Sequence, residues 1–217
     1  MKSKHGIMAI YALCILFVVT GCEFKAKKAI NFGKYESGIY TNTFFKVKIA
    51  VPEKWSLMDK EARIEMLKQG GKLVAGDDKN LNEIMDAADF SSLNLLLASE
   101  YPIGAPEESN PILILIAEKV DHLPGIIRGK DYHLQTKKLM ASGALSVSYP
   151  KEIYEEQIDG ISFDVLEVDT DVNGEVVKQK QYARIMGKYV LLFGLTYVDG
   201  PGLQKLDRIM SSVDFYD

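Results

Sequence analysis

Apolar and polar residues alternate from Ile39 to Val51, putting Phe45, Val47, Ile49 and Val51 on one side of a predicted strand that Pro52 ends. The period then changes. Ser56-Leu57-Met58-Asp59 has the form of a capping box, and Met58, Ala62 and Met66 share one face of a helix running to Gly70-Gly71. Asp77 or Asp78 caps a second helical stretch, with Leu81, Ile84, Met85 and Ala88 at helical spacing. Leu93, Leu95 and Leu97 alternate again as a strand. Tyr101 to Pro111, rich in proline, reads as a loop. Ile112 to Ala117 is apolar throughout, as expected of a central strand buried on both faces.

A third helix is predicted over Gly129 to Ser142, with Tyr132, Thr136, Leu139 and Met140 inward. From Leu145 the texture is that of strands: Leu145 to Tyr149, Glu152 to Ile158, Ile161 to Val172, Glu175 to Ile185 and Lys188 to Val198. Gly160 and Asn173-Gly174 mark hairpin turns, the second a type I′ signal. Asp199-Gly200-Pro201 opens a last helix, with Leu203, Leu206, Ile209, Met210 and Val213 facing in. Helices thus flank a run of antiparallel hairpins. The expected class is α+β: one mostly antiparallel, meandering sheet of about six or more strands covered by helices. The strand-helix-strand alternation of a doubly wound nucleotide fold is missing.

Ahead of this domain, Lys2 and Lys4 precede an apolar run from Ile7 to Val19, the right length for a signal-peptide core and short for a membrane span. It ends in Val19-Thr20-Gly21-Cys22, which resembles a bacterial lipobox. The organisation read from this is a leader over 1–21, a lipidated tether over 22–37 and a single domain over 38–217. Lipidation of Cys22 would place the mature chain outside the cell membrane, where two acyl chains give stable anchoring. Cys14 lies inside the leader among bulky residues, so the mature chain would carry no free thiol. After the anchor, from Cys22 to Lys34, come Lys25, Lys27, Lys28 and Lys34 against one acid, Glu23. The tether either lies on anionic headgroups or is a solvated linker.

Composition narrows the function. At 47% hydrophobic and 26% charged residues, the 217-residue chain is a globular protein rather than a disordered or many-span one. Its net charge of −4, with no basic cluster in the domain, argues against nucleic acid.

The order of elements and several anchors resemble the Mog1/PsbP-like family and its bacterial lipoprotein relatives. The anchors are Val51-Pro52 with Trp55, Asn110-Pro111, Gly129-Lys130-Asp131-Tyr132, Asp159-Gly160-Ile161-Ser162-Phe163, and Tyr182 with Tyr189. The resemblance covers nearly the whole mature domain. It implies an α-β-α sandwich serving as a docking module. Family members bind a small GTPase or a photosystem, and this sequence carries no partner-binding motif to transfer.

Candidate chemistry is sparse. Asp169-Thr170-Asp171-Val172-Asn173-Gly174 matches the opening of a calcium loop, but the twelfth position is Lys180 and the flanks are strands, so a solvated hairpin tip is the reading. His122 and His133 have no companions for a zinc set, and His133, beside Asp131, is read as a surface residue. None of Ser91, Ser92, Ser142, Ser146 and Ser148 lies in a nucleophile elbow. Gly70-Gly71 and Gly76 lack the Lys-Ser/Thr of a phosphate loop. The acid pairs Glu107-Glu108 and Glu155-Glu156, with Asp86 and Asp89, are read as solvated. Tyr35, Tyr40, Phe44, Phe45 and Trp55 are core or the rim of a groove, with core favoured. The expectation is a non-catalytic, membrane-anchored interaction module without cofactor or metal, meeting an envelope protein through a sheet face or the Tyr101–Pro111 loop. The alternative is a lipoprotein that binds a small ligand or wall fragment between sheet and helices.

Overall fold

Long runs of β-branched and aromatic residues build the centre of the molecule. The computed structural model describes residues 31–66, 92–106, 109–142, 146–172 and 174–217. Chain order begins with β1 (Lys34–Glu36), β2 (Ile39–Asn42), β3 (Val47–Ala50) and β4 (Ser56–Leu57). A helix α1 is described over 60–66. Then come β5 (Ser92–Ser99), β6 (Ile112–Lys119), α2 (Gly129–Ser142), β7 (Ser146–Ser148) and β8 (Tyr154–Ile158). The long hairpin of β9 (Ile161–Val172) and β10 (Glu175–Met186) follows, then β11 (Tyr189–Tyr197), α3 (Gly200–Met210) and β12 (Asp214–Phe215).

The main sheet has eight strands in the order β4-β5-β6-β11-β10-β9-β7, with β8 also on β9, and every pairing is antiparallel. The α+β class therefore holds. One expectation changes: the sheet is not single. β1, β2, β3 and β12 form a separate four-stranded sheet. Together with α3 it covers one face of the main sheet, burying Tyr40, Val47, Ile49, Leu206 and Ile209 against Leu113, Leu115, Phe163, Phe193 and Leu195. The other face carries Ile112, Ile114, Ile116 and Leu192, with Tyr132 of α2 packed on them.

Three boundaries differ from the sequence reading. The alternation from Ile39 to Val51 is two strands rather than one. The Asn42 carboxamide accepts from the backbone N–H groups of Phe44 and Phe45, both at 3.0 Å, and bends the chain back. The linker boundary at 37 falls inside a hairpin, because Lys34–Glu36 pairs with Ile39–Thr41. Ser56 lies in β4 rather than capping a helix; Asp59 does that, accepting from the Ala62 N–H at 2.8 Å. The helix predicted around Leu81 to Ala88 lies outside the described residues.

Two close contacts hold the layers together. Phe215 of β12 stacks on Phe163, with ring centroids 6.0 Å apart, and so fixes the end of the chain on the main sheet. Gly129 starts α2 so near β10 that a Cβ there would lie 2.1 Å from the Ala183 carbonyl oxygen.

Candidate functional site

Alternation along β8 sends Tyr154, Glu156 and Ile158 to the face shared with α3 and Glu155 to the other, while the exposed Gln157 borders the cleft between these strands and α3. Register then places Glu167 of β9 opposite Lys180 of β10, and Val165 opposite Tyr182. Beyond the area sealed by the small sheet, Glu156, Ile158, Lys180 and Tyr182 line a cleft of about 410 Å³, with Tyr154 and Glu167 beside it. Its walls are Glu156, Lys180 and Tyr182 from the sheet, and Asp207, Met210 and Ser211 from α3 and its end. Helix α3 is set in place by Asp199, whose carboxylate accepts from the Gly202 N–H at 2.7 Å, with Pro201 in the first turn.

Three polar side chains of this cleft, Glu156, Lys180 and Tyr182, satisfy one another. Lys180 Nζ donates to both oxygens of Glu156, at 2.8 and 2.9 Å, and the Tyr182 hydroxyl donates to Glu156 Oε2 at 2.9 Å. The Tyr154 hydroxyl and Lys151 Nζ donate to Glu167. The ammonium of Lys180 stands 5.0 Å from the Tyr182 ring centroid and 6.0 Å from that of Tyr154, so it is held by two aromatic faces as well as a carboxylate.

Protonation states follow from this packing. Burial works against the charge of Glu156, but the bonds from Lys180 and Tyr182 outweigh it and hold the carboxyl below its ordinary range. Burial, and the negative charge of Glu156, push the Tyr182 phenol far up. Burial also raises Tyr154 and takes Tyr197 to about 12. Burial lifts Asp207, with Glu156 adding and Lys180 opposing. At neutral pH the cleft and its border therefore present fixed phenol donors, carboxylate acceptors and one lysine paired with a carboxylate.

A second polar group lies under α2. The Tyr132 hydroxyl donates to Glu118 Oε2 at 2.8 Å, and burial drives the Glu118 carboxyl well above its usual range. His133 is fully buried and not a surface residue. It falls one residue after Tyr132, three before Thr136 and seven before Met140, so helical period already put it on the inward face; its polarity was the misleading signal. His133 Nε2 lies 3.0 Å from the Asp164 carbonyl oxygen, which can only accept, so Nε2 carries the hydrogen. Burial lowers this imidazole to about 4. Among the described residues, His133 Nδ1, Glu118 Oε1, Ser92 Oγ, Thr170 Oγ1 and the Asn94 carboxamide have no hydrogen-bond partner.

The structure separates the other sequence candidates. Glu155 and Glu156 are not free acids: Glu155 accepts from Arg128 and Ser162 on one face, and Glu156 joins the cleft on the other. Asp171 at the β9–β10 tip accepts from the Gly174 N–H at 2.8 Å, closing the hairpin. His122 is half-buried beside Asp121, and among the described residues no group of three or more His, Cys, Asp or Glu is placed to hold a metal. Ser92 is buried on β5, and Ser146 and Ser148 are exposed on β7. Tyr40, Phe45 and Trp55 are core, whereas Phe44 is 47% exposed. The Tyr101–Pro111 loop is stapled by Asn110, which accepts from the Tyr101 N–H and donates to its carbonyl, both at 2.9 Å. Cys22, Asp77, Asp78, Asp86, Asp89, Ser91, Glu107, Glu108 and the 70–76 glycines lie outside the described residues. Sequence reasoning missed Lys180, Tyr182 and Asp207 as members of one site; the only signal was the charged and aromatic content of β8 and β10 at alternate positions.

No family model matches the chain, and no curated protein matches it. Among solved structures, it is similar to cyanobacterial PsbP from Synechocystis sp. PCC 6803, with a TM-score of 0.48 and 15% identity over 82% of this chain and 91% of that one. It is also similar to LpqN of Mycobacterium tuberculosis, described as involved in cell envelope biogenesis, with a TM-score of 0.42 and 14% identity over 77% and 81% of the two chains. A Pseudomonas aeruginosa protein of unknown function, PA94, gives 0.39 and 15% over 54% and 78%. These likenesses concern fold and assign no activity to this chain. Among the described residues no helix is long and apolar enough to cross a membrane.

Proposed function

We propose that this chain is a non-catalytic binding module, held to the outer side of a membrane through a lipid on Cys22, that docks an envelope protein on the face between β8–β10 and α3. The observation that carries this reading is the ordered set of Tyr154, Tyr182 and Lys180 on ionised carboxylates. Tyr154, part-exposed and already fixed by a hydrogen bond, supplies contact area with little entropy left to lose on binding, and buried Tyr182 holds Glu156 in place beneath it. Acids outnumber lysines around the cleft, in Glu156, Asp159 and Asp207 against Lys180, so a segment bearing basic or amide groups is the complementary partner. The loop at Tyr101 is the weaker surface because Asn110 ties it down and Ile103 packs on the core.

The cleft volume also falls in the range of small-ligand sites, which keeps a wall fragment as the second reading. A photo-crosslinking residue at Gln157 or Ser211, on the rim, and at Leu134, on the outer face of α2, separates the two in cells making the lipidated chain. One protein captured from the rim positions, absent at Leu134 and lost in Cys22→Ala, is the expected result. A glycan adduct at the rim favours the second reading. The same proteins captured at all three positions defeat both.

A further inference from the structure

The end of the domain where the tether enters carries its own surface. Asn31, the first described residue, donates through Nδ2 to Thr43 Oγ1 at 2.8 Å, and Asn42 donates to the Asn31 carbonyl at 2.8 Å. The chain therefore joins the domain at the β2–β3 turn. Phe44 sits on that turn, 47% exposed. It is not loose: its ring meets Phe45 edge-on at 4.8 Å and Tyr189 at 5.7 Å. An ordered aromatic ring that half faces solvent, beside a second with a hydroxyl, is the pairing found at membrane interfaces.

Lysines surround it. Lys46 follows on the same turn and is exposed, with φ of 51°. Lys188, at the β10–β11 turn, adjoins Tyr189, and Lys119 pairs with Tyr189 across β6 and β11. Lys60 stands 4.5 Å from the ring of Phe32, and Lys34 is exposed on β1. Asp59 and Glu61 flank Lys60, and Glu36 shares β1 with Lys34. Nearer Phe44 the acids are Asp121, bonded to Lys119 at 2.9 Å and to Lys188 at 3.5 Å, and Asp217, which follows Tyr216 beside Lys46. Around the Phe44 turn itself Lys46, Lys119 and Lys188 thus outnumber these two acids, and Lys25, Lys27 and Lys28 precede the domain.

Geometry then selects the occupant. From Cys22 to Asn31 the extended chain reaches at most roughly 30 Å. A domain of this length is itself roughly 40 Å across. A tether shorter than the domain keeps its entry point near the bilayer. We infer that the Phe44 turn and its ring of Lys46, Lys119 and Lys188 rest on anionic lipid headgroups, so that the anchored domain has one orientation on the membrane. This rests on the Cys22 anchor of the preceding reading.

The test uses the full lipidated chain in vesicles with bromine-labelled acyl chains, made either of phosphatidylglycerol or of phosphatidylcholine. Phe44→Trp reports at the proposed contact, and Val176→Trp, at the opposite end of β10, reports away from it; Trp55 is buried and common to both. Loss of fluorescence for Phe44→Trp alone, in phosphatidylglycerol, is the expected result, and Lys46→Glu with Lys188→Glu should abolish it. Equal behaviour of the two reporters overturns the inference. Amide hydrogen exchange on the unsubstituted chain gives the second reading: residues 43–46 should slow on phosphatidylglycerol vesicles, and unchanged exchange overturns it. The mass of Cys22 distinguishes the two failures. A lipidated chain without a Phe44 signal rejects this inference alone, and a chain without lipid rejects the anchor and this inference with it.

Discussion

The two faces of the main sheet differ in how completely their polar groups are paired. On the α3 face, Glu156, Lys180, Tyr154 and Glu167 are part-buried, Tyr182 is buried, and each has a partner. On the α2 face, Gln179 and Gln181 are paired, but Glu118, His133, Ser92, Asn94 and Thr170 are buried and each leaves at least one atom without a hydrogen-bond partner among the described residues. Each such atom costs about 1–3 kcal/mol of desolvation. On the proposed reading, the first face would meet a partner through Tyr154, Glu156 and the rim of α3, which are ordered yet part-exposed. The second weakens the fold, and it does so in a pH-dependent way, because two of its members titrate. The proposal thus puts binding and stability on different sides of the same strands.

The largest expected effect comes from separating α2 from the sheet. Gly129→Ala drives a Cβ into the Ala183 carbonyl and should destabilise the fold by about 3 kcal/mol in urea unfolding, with any residual folded protein keeping its partner contacts. Next, Tyr132→Phe removes the one donor to Glu118. It should cost about 2 kcal/mol, and an equal loss in Tyr182→Phe would break the contrast between the faces.

The pH dependence follows from the two buried groups. His133 titrates near 4 in the folded chain against 6.5 when free, so the unfolded chain takes up its proton first. Stability should therefore fall as pH drops from about 6.5 toward 4. Glu118 is raised above its free value of 4.5, so the unfolded chain loses its proton first. Stability should decline as pH rises past that value. Thermal unfolding across pH should show the acid limb flattened in His133→Gln and the opposite limb flattened in Glu118→Gln. The smallest stability effect belongs to the cleft. Lys180→Met should change unfolding by about 1 kcal/mol or less, while crosslinking from Gln157 is lost. A large unfolding effect with capture intact would reverse the assignment of roles.

Much of the scaffold was legible in the sequence. The limits of Ile161–Val172, the apolar strand at Ile112, the span of α2 and the capped start of α3 all followed from local period and turn chemistry. The candidate site was legible only in its parts. Glu156 and Tyr182 are 26 residues apart, and Lys180 and Asp207 sit on different elements. Only the register of three strands and the seat of α3 bring them together.

By itself, then, the sequence determined the α+β class, most of the long strands, the span of α2 and α3 and the position of the hairpin turns at Gly160 and Gly174, and it raised the expectation of a lipid anchor at Cys22. These depend on side-chain alternation, φ preferences and short-range caps, all of which act over a few residues. The tertiary structure decided that Ile39–Val51 folds back into a second sheet, that His133 and Glu118 lose water, and that Phe44 stands at the tether's entry. Those outcomes depend on which layers stack and on which charges meet across them. Desolvation and long-range pairing are properties of the assembled layers, and no local pattern encodes them.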